Sequence, residues 1–339
     1  MRDRGRRCIA QGGGRGSLAA HGAAAAVTRA TRVGVIVGPT ASGKSSLAES
    51  LVESLDAEII SADALQVYRG LDIGTAKPAP QEQRQYRYHG VDLVDPDDRF
   101  TAARFARFAR KAIHEINQRG RLALLVGGSG FYVDATLGGL DPLPASDSRW
   151  RESLEAVDRR RGTPELHRWL SRLDPERAAA VAPSDRHRIL RAVEVILREG
   201  RPVADLNTMP NGQQQRTIPA TWVGLRWPRA ELYSRIDARV GAMIEAGWVA
   251  EVESLLESGV KQSAHAMQAI GYRDLVAATQ GAVDLEAARE RIARDTRRYA
   301  KRQMTYFRRR PVTWLDAESA SDGEVESLTV RAIEALESP

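Results

Sequence analysis

Eight residues, Gly38-Pro39-Thr40-Ala41-Ser42-Gly43-Lys44-Ser45, constrain this chain most, because they satisfy the pattern G-x-x-x-x-G-K-[ST]. That pattern binds phosphate only where a strand precedes it and a helix follows. Val33 to Val37 reads as a buried parallel strand, and Ser45 to Leu55 has helical spacing. The glycines let successive N–H groups turn inward as an anion nest, and the helix N-terminus adds positive potential. Lys44 supplies a point charge, and the Ser45 hydroxyl suits Mg²⁺. The loop therefore predicts a bound diphosphate or triphosphate, without saying whether phosphate is transferred, hydrolysed or expelled.

Further strand-like runs at Glu58 to Ser61, Leu122 to Val126, Trp222 to Leu225 and Val312 to Leu315 alternate with helical stretches, notably the amphipathic Ala102 to Gln118. That alternation predicts an α/β fold, a P-loop NTPase-like parallel sheet flanked by helices. From Pro144 to about Ala220 the character changes to charged helical segments at Asp147 to Arg160, Pro164 to Arg172, Pro175 to Val181 and Asp185 to Arg198. Residues 144–218 are read as a helical insertion domain, inside a core formed by 33–143 and 219–320. Residues 229–309 return as long helices broken at Gly247, Gly259 and Gly281. Residues 1–32, with Arg2, Arg4, Arg6, Arg7 and Arg15 among glycines, read as a disordered basic N-terminal extension.

Cys8 is the single cysteine, so an internal disulfide and a Cys/His zinc site are excluded, and a reducing cytoplasm is expected. No run approaches the 18 apolar residues of a membrane span. The net charge is +6, carried almost wholly by arginine. Its clustering matters more than its total. From Arg289 to Arg310 only Glu290 and Asp295 oppose a run of basic residues, and on a helix Arg294, Arg298 and Arg302 stack along one face. Such a face predicts a polyanionic partner, nucleic acid above all.

Asp63 follows the second strand at its carboxyl end, where ligands bind in open α/β sheets, and that strand is expected beside the phosphate-loop strand. Three roles suit it: a Mg²⁺ ligand, a general base, or a helix cap before Ala64. Beyond it, Asp63-Ala64-Leu65-Gln66-Val67-Tyr68-Arg69-Gly70 continues into Asp72-Ile73-Gly74-Thr75-Ala76-Lys77-Pro78. Here the chain resembles the tRNA dimethylallyltransferases, and the likeness extends through Val126-Gly127-Gly128-Ser129-Gly130-Phe131-Tyr132, Arg188 to Glu194, Ile270-Gly271-Tyr272-Arg273 and Lys301-Arg302-Gln303. The eukaryotic members' C-terminal zinc finger has no counterpart among these residues, so the resemblance is to the bacterial type.

The resemblance implies transfer of a dimethylallyl group from dimethylallyl diphosphate to N6 of adenosine 37 in the tRNA anticodon stem-loop, by a cytoplasmic monomer with Mg²⁺ on Ser45. Gly38 to Ser45 would hold the diphosphate, Lys44 would stabilise it as it departs, and Asp63 would take the N6 proton. It implies tRNA contacts at Asp63, Ala64, Leu65, Gln66, Ser129, Arg151, His187, Arg188, Arg191, Gln268, Gly271, Tyr272, Arg273, Lys301, Arg302, Gln303 and Arg308. Two positions depart from the family: Ala64 stands where Ser is common, losing a hydroxyl, and Ser129 where Thr is usual, keeping one. Three other functions compete. A small-molecule kinase needs neither the basic helix nor the segment after Asp63. An enzyme alkylating free adenine nucleotides would not need the RNA contacts, and a pure RNA-binding protein would not need Lys44, Ser45 and Asp63 together.

Overall fold

The computed structural model describes residues 33–138, 144, 146–203, 217–317 and 322–337. The expected extension over 1–32 lies outside the described residues. Six strands, β1 (Val33–Val37), β2 (Ala57–Ser61), β3 (Tyr88–His89), β4 (Leu122–Gly127), β5 (Thr221–Arg226) and β6 (Val312–Asp316), form one sheet. All pairs are parallel, in the order β3-β2-β4-β1-β5-β6. The order corrects one expectation: β4 lies between β1 and β2, so Asp63 follows a strand two places from the phosphate loop. Parallel strands need long crossovers, and which neighbours they find is not written locally in the chain.

The helices are α1 (Lys44–Leu55), α2 (Pro80–Gln85), α3 (Ala102–Gln118), α4 (Gly130–Leu137), α5 (Ser148–Arg161), α6 (Thr163–Leu173), α7 (Pro175–Ala180), α8 (Arg186–Glu199), α9 (Arg229–Glu245), α10 (Trp248–Glu257), α11 (Tyr272–Thr279), α12 (Leu285–Phe307) and α13 (Asp322–Glu337). They bury both faces of the sheet, which is why its central strands β1 and β4 are apolar along their length rather than alternating. Val33, Val35 and Val37 enter one core with Phe105 of α3, Val133 of α4 and Leu275 of α11. Ile36, between them, enters the other with Leu47 and Leu51 of α1 and Ala332 of α13. Each fully buried aliphatic side chain stabilises this arrangement by about 1.5–3 kcal/mol. Helix α13 belongs to the α/β core through Leu328 and Ala332, so the core runs past residue 320.

Helices α5 to α8 share a core of their own, built on Leu154, Leu166, Leu170, Ile189, Leu190 and Val193. The three glycines expected to break the later helices all adopt left-handed backbone, with φ of 101° at Gly247, 92° at Gly259 and 71° at Gly281. Asp284 then caps α12, accepting from the N–H groups of Glu286 and Ala287.

Candidate active site

The phosphate loop leaves β1 at Gly38, where φ is 148° and a Cβ would stand 2.9 Å from the Leu225 carbonyl oxygen. It enters α1 at Gly43, with φ of 90°. No side chain caps α1, so the N–H groups of its first turn remain for an anion. Three long-range contacts hold the loop open in this shape. Gln303 of α12 accepts from Thr40 N at 2.9 Å, Trp227 Nε1 donates to the Ser42 carbonyl at 2.9 Å, and Arg235 Nε donates to the Ala41 carbonyl at 2.9 Å. The Arg235 guanidinium also lies 4.2 Å from the Trp227 ring centroid.

Lys44 Nζ donates to the Pro39 carbonyl at 2.6 Å. Burial lowers its pKa to about 7, with Arg239 of α9 adding to the fall and Asp63 opposing it. Arg239 is itself depressed by burial, with Asp63 opposing and Arg235 reinforcing. Among the described residues its guanidinium makes no hydrogen bond. Lys44 and Arg239 thus lie within electrostatic reach of one carboxylate, with Arg235 beside Arg239, an excess of positive charge that a diphosphate would neutralise. A diphosphate bound there would raise the Lys44 pKa again, so above pH 7 its binding would take up a proton. A non-cleavable diphosphate ester should therefore bind progressively more weakly as pH rises past 7, by up to about tenfold per pH unit. Calorimetry in buffers of different ionisation enthalpy checks this, and binding without proton uptake at pH 8 contradicts it.

Asp63 lies just beyond β2. Its Oδ1 accepts from the N–H groups of Leu65 at 2.8 Å and Gln66 at 3.3 Å, so it caps a turn rather than the expected helix. Among the described residues no hydrogen bond engages Oδ2, so a second role remains open to it. The turn after β4 packs directly against this segment: a Cβ on Gly127 would stand 2.2 Å from the Ala62 carbonyl oxygen. Ser129 N donates to that carbonyl at 3.3 Å, and Ser129 Oγ accepts from Ala64 N at 3.1 Å. Ser129 is thereby placed beside Asp63, while Ala64 and Leu65 pack half-buried against the core. Phe131, 60% exposed, presents an aromatic face next to the same turn.

Several residues expected at an RNA surface have other occupations. Gln303 is buried, and its amide bridges Thr40 N and the Gly128 carbonyl (3.0 Å), so it clamps the phosphate loop to the Ser129 turn. Tyr272 is fully buried, and its hydroxyl donates to Glu251 Oε1 at 2.7 Å. Gly271 has φ of 91° and lies under Trp248, where a Cβ would stand 2.0 Å from the ring. Both support the loop after Asp63, because Glu251 also accepts from the N–H groups of Asp72, Ile73 and Gly74. Gln66 is spent the same way, donating to the carbonyls of Thr75 and Ala76 and accepting from Ser61 Oγ. Lys77, from the same stretch, is buried on the Tyr68 carbonyl, Asp72 and Asp92.

Arg191 and Arg151 are committed to the fully buried Glu194, at 3.1 Å and 3.8 Å. Two cations there offset the cost of one buried carboxylate. His187 and Arg188 are exposed on α8, and Arg188 pairs with Asp185 at 3.4 Å; neither bonds to the phosphate-loop group. Gln268 is exposed and donates to the Gln262 carbonyl. Arg273, Arg294 and Arg298 share Asp295, at 2.7, 3.7 and 3.2 Å, and Arg273 also reaches Asp274 at 3.6 Å, so three guanidiniums face two carboxylates and this surface keeps an excess of positive charge. Further along, Lys301 and Arg302, with Thr305, Tyr306, Arg309 and Arg310, line a cleft of about 340 Å³. Arg308 is exposed beyond them.

The model of the IPP transferase family matches residues 66–310. The chain belongs to the IPP transferase family. Among family members, tRNA dimethylallyltransferase 2 of Geotalea uraniireducens is 45% identical over 283 residues, which cover 83% of this chain and 91% of the relative. The tRNA dimethylallyltransferase of Geobacter sulfurreducens is 43% identical over 291 residues, 84% and 92% of the two chains. The crystal structure of a full-length tRNA isopentenylpyrophosphate transferase from Bacillus halodurans superposes with a TM-score of 0.65 at 37% identity, covering 91% of this chain and 97% of that one. A eukaryotic dimethylallyltransferase acting on tRNA gives 0.73 at 26% identity, covering 89% and 78%.

Arg239 and Tyr299 are the site residues that sequence reasoning missed. The only hint was the i, i+4 spacing of Arg235 and Arg239 on one helix, and of Tyr299 and Gln303 on another.

Proposed function

We propose that this protein transfers a dimethylallyl group from dimethylallyl diphosphate to N6 of adenosine 37 in tRNA and releases diphosphate. The observation that carries the reading is the convergence, at the carboxyl end of one sheet, of a cationic phosphate loop with a carboxylate whose Oδ2 is uncommitted. As the amine nitrogen bonds to the allylic carbon, the carbon–oxygen bond breaks and its electron pair leaves on the diphosphate. Lys44, Arg239 and the N–H groups of α1 stabilise the charge where it develops. Asp63 takes the proton from the amine, which is a weak nucleophile until it loses it.

Ser45, exposed on the first turn of α1, offers a hard oxygen suited to Mg²⁺, which uses few protein ligands and fills its shell from substrate phosphates and water. Bound there it would neutralise the leaving diphosphate. Among the described residues no cluster of three His, Cys, Asp or Glu could hold a metal without the substrate's help. A base inside an anticodon loop must be swung out of its stack to reach such a site, and the exposed Phe131 ring beside Ser129 offers it a surface to stack on. The enzyme works as a monomer in the cytoplasm, where tRNA is met; among the described residues no helix is long and apolar enough to cross a membrane.

In contrast to the kinase reading, diphosphate should be released from dimethylallyl diphosphate only when tRNA is added. ATP should not be consumed with any small alcohol. Reversing Arg294 and Arg298 to Glu should raise the tRNA concentration for half-maximal release by about tenfold or more at low salt and flatten its salt dependence. Release that is independent of tRNA, or a double variant with the wild-type salt slope, would count against this function or this surface respectively.

A further inference from the structure

A trans peptide unit sends its carbonyl and the N–H that follows in opposite directions, so whatever holds one end aims the other. Three units of the phosphate loop are held in this way. The Pro39 carbonyl accepts from Lys44 Nζ at 2.6 Å, and the N–H of the same unit, on Thr40, is taken by Gln303 Oε1 at 2.9 Å. The other two units differ. Arg235 Nε fixes the Ala41 carbonyl and Trp227 Nε1 fixes the Ser42 carbonyl, each at 2.9 Å, so the N–H groups of Ser42 and Gly43 are turned away from both side chains. Among the described residues neither N–H has an acceptor, although Ser42 is only 2% exposed. Buried N–H groups are seldom left without a partner, and two on consecutive residues suit an anion.

The backbone agrees. Ala41 at φ 63° and Gly43 at φ 90° are left-handed while Ser42 between them is not, an alternation that brings successive N–H groups to one side of the chain. An alanine keeps such a backbone only where its surroundings hold it, and the Arg235 bond to its carbonyl does so. Both holders are themselves fixed. Strand β5 pairs with β1, so Trp227, the residue after β5, emerges beside the loop and is buried there. Arg235 is carried by α9, and the cation–π contact of its guanidinium with the Trp227 ring sets the two donors side by side.

The geometry points to Trp227 and Arg235 as positioning residues for the diphosphate: by holding two carbonyls of the loop from behind, they aim the N–H groups of Gly43 and Ser42 at the departing group. The inference rests on the function proposed above for the identity of that group, and concerns how the loop is made ready for it. Trp227 acts without touching substrate, because its one donor is spent on Ser42. Donors aimed in advance need no reorganisation as charge develops on the diphosphate, which is where they stabilise the transition state.

The test uses the full-length protein and inorganic pyrophosphate, with calorimetry and amide NMR spectra of isotope-labelled protein. In the wild type, pyrophosphate should move the Ser42 and Gly43 amide protons downfield. Trp227→Phe keeps an aromatic ring beside Arg235 and removes the indole N–H; it should weaken pyrophosphate binding about tenfold and shrink the shift at Gly43, and Arg235→Met should do the same at Ser42. A merely loosened fold would instead disturb amides throughout the spectrum. Ser42 and Gly43 amides that ignore pyrophosphate in the wild type, or variants that bind it as tightly as the wild type, overturn the inference. Should the variants not fold, the wild-type Trp227 indole N–H decides: slow hydrogen exchange, slower still with pyrophosphate, supports the inference, and rapid exchange overturns it. A wild type that binds pyrophosphate through these amides yet alkylates no tRNA rejects the proposed reaction and leaves this inference standing.

Discussion

Asp63→Asn lowers the single-turnover rate of alkyl transfer by about a hundred- to ten-thousand-fold, the range for loss of a general base. Asparagine is the informative replacement because Asp63 does two jobs. Its Oδ1 caps the turn at Leu65 and Gln66, and an Asn side chain keeps that acceptor. The atom changed is the one at Oδ2, which can then no longer accept a proton. Asp63→Ala removes both functions and would mix a loosened turn with lost chemistry. Rapid-quench measurement with tRNA and dimethylallyl diphosphate checks the rate, and filter binding checks that tRNA affinity stays within about threefold. A full rate in the Asn variant would leave Asp63 as a cap only.

The second large effect is on stability and lies away from the site. Glu58 of β2 is buried, yet ionised: Arg119 reaches it through two nitrogens at 3.1 and 2.7 Å, Arg121 at 2.9 Å and His89 at 2.7 Å. Burial alone would raise its pKa, but the Arg119, Arg121 and His89 hydrogen bonds outweigh that and hold it at about 2. A carboxyl depressed on folding contributes stability in full above its unfolded value near 4.5, and loses it as pH falls through 2. Glu58→Gln leaves the partly exposed guanidiniums facing a neutral amide and should cost about 1.5–3 kcal/mol at pH 7, the range for losing charge-assisted hydrogen bonds. The same change should remove Glu58's share of the acid sensitivity between pH 4.5 and 2. Urea titrations at pH 7 and pH 3 check both, and a variant as stable as wild type at pH 7 would show the network to be solvated rather than buried.

What could be read from the chain follows from the range of the forces involved. The phosphate loop was legible because its backbone geometry demands glycine at Gly38 and Gly43, within one turn of the helix it opens. The parallel strands were legible because burial on both faces leaves an unbroken apolar run. Their order was not, since nothing local to Glu58 or Leu122 says that β4 will slot between β1 and β2. Strand β3, only two residues long, and helix α4 fell below what periodicity can detect. At the site, motif likeness pointed to the right segments but not to what each side chain does there. Gln303 and Tyr272 look like surface polar residues in the sequence. Their partners, 175 residues away at Gly128 and 21 away at Glu251, turn them into interior clamps. Nothing in the sequence shows that Arg151 and Arg191 both approach the buried Glu194. Conversely, Arg239 and Tyr299 are hidden in two long helices, and only the fold brings them within electrostatic reach of Asp63.

The central claim is that the phosphate loop serves an alkyl transfer to tRNA. The most direct measurement incubates the protein with Mg²⁺, dimethylallyl diphosphate and an unmodified tRNA carrying adenosine at position 37, then digests the RNA for mass spectrometry. The account predicts N6-dimethylallyladenosine with wild type and almost none with Asp63→Asn. Unmodified RNA from an active, folded wild-type protein, with ATP consumed or a free adenine nucleotide alkylated instead, would contradict it.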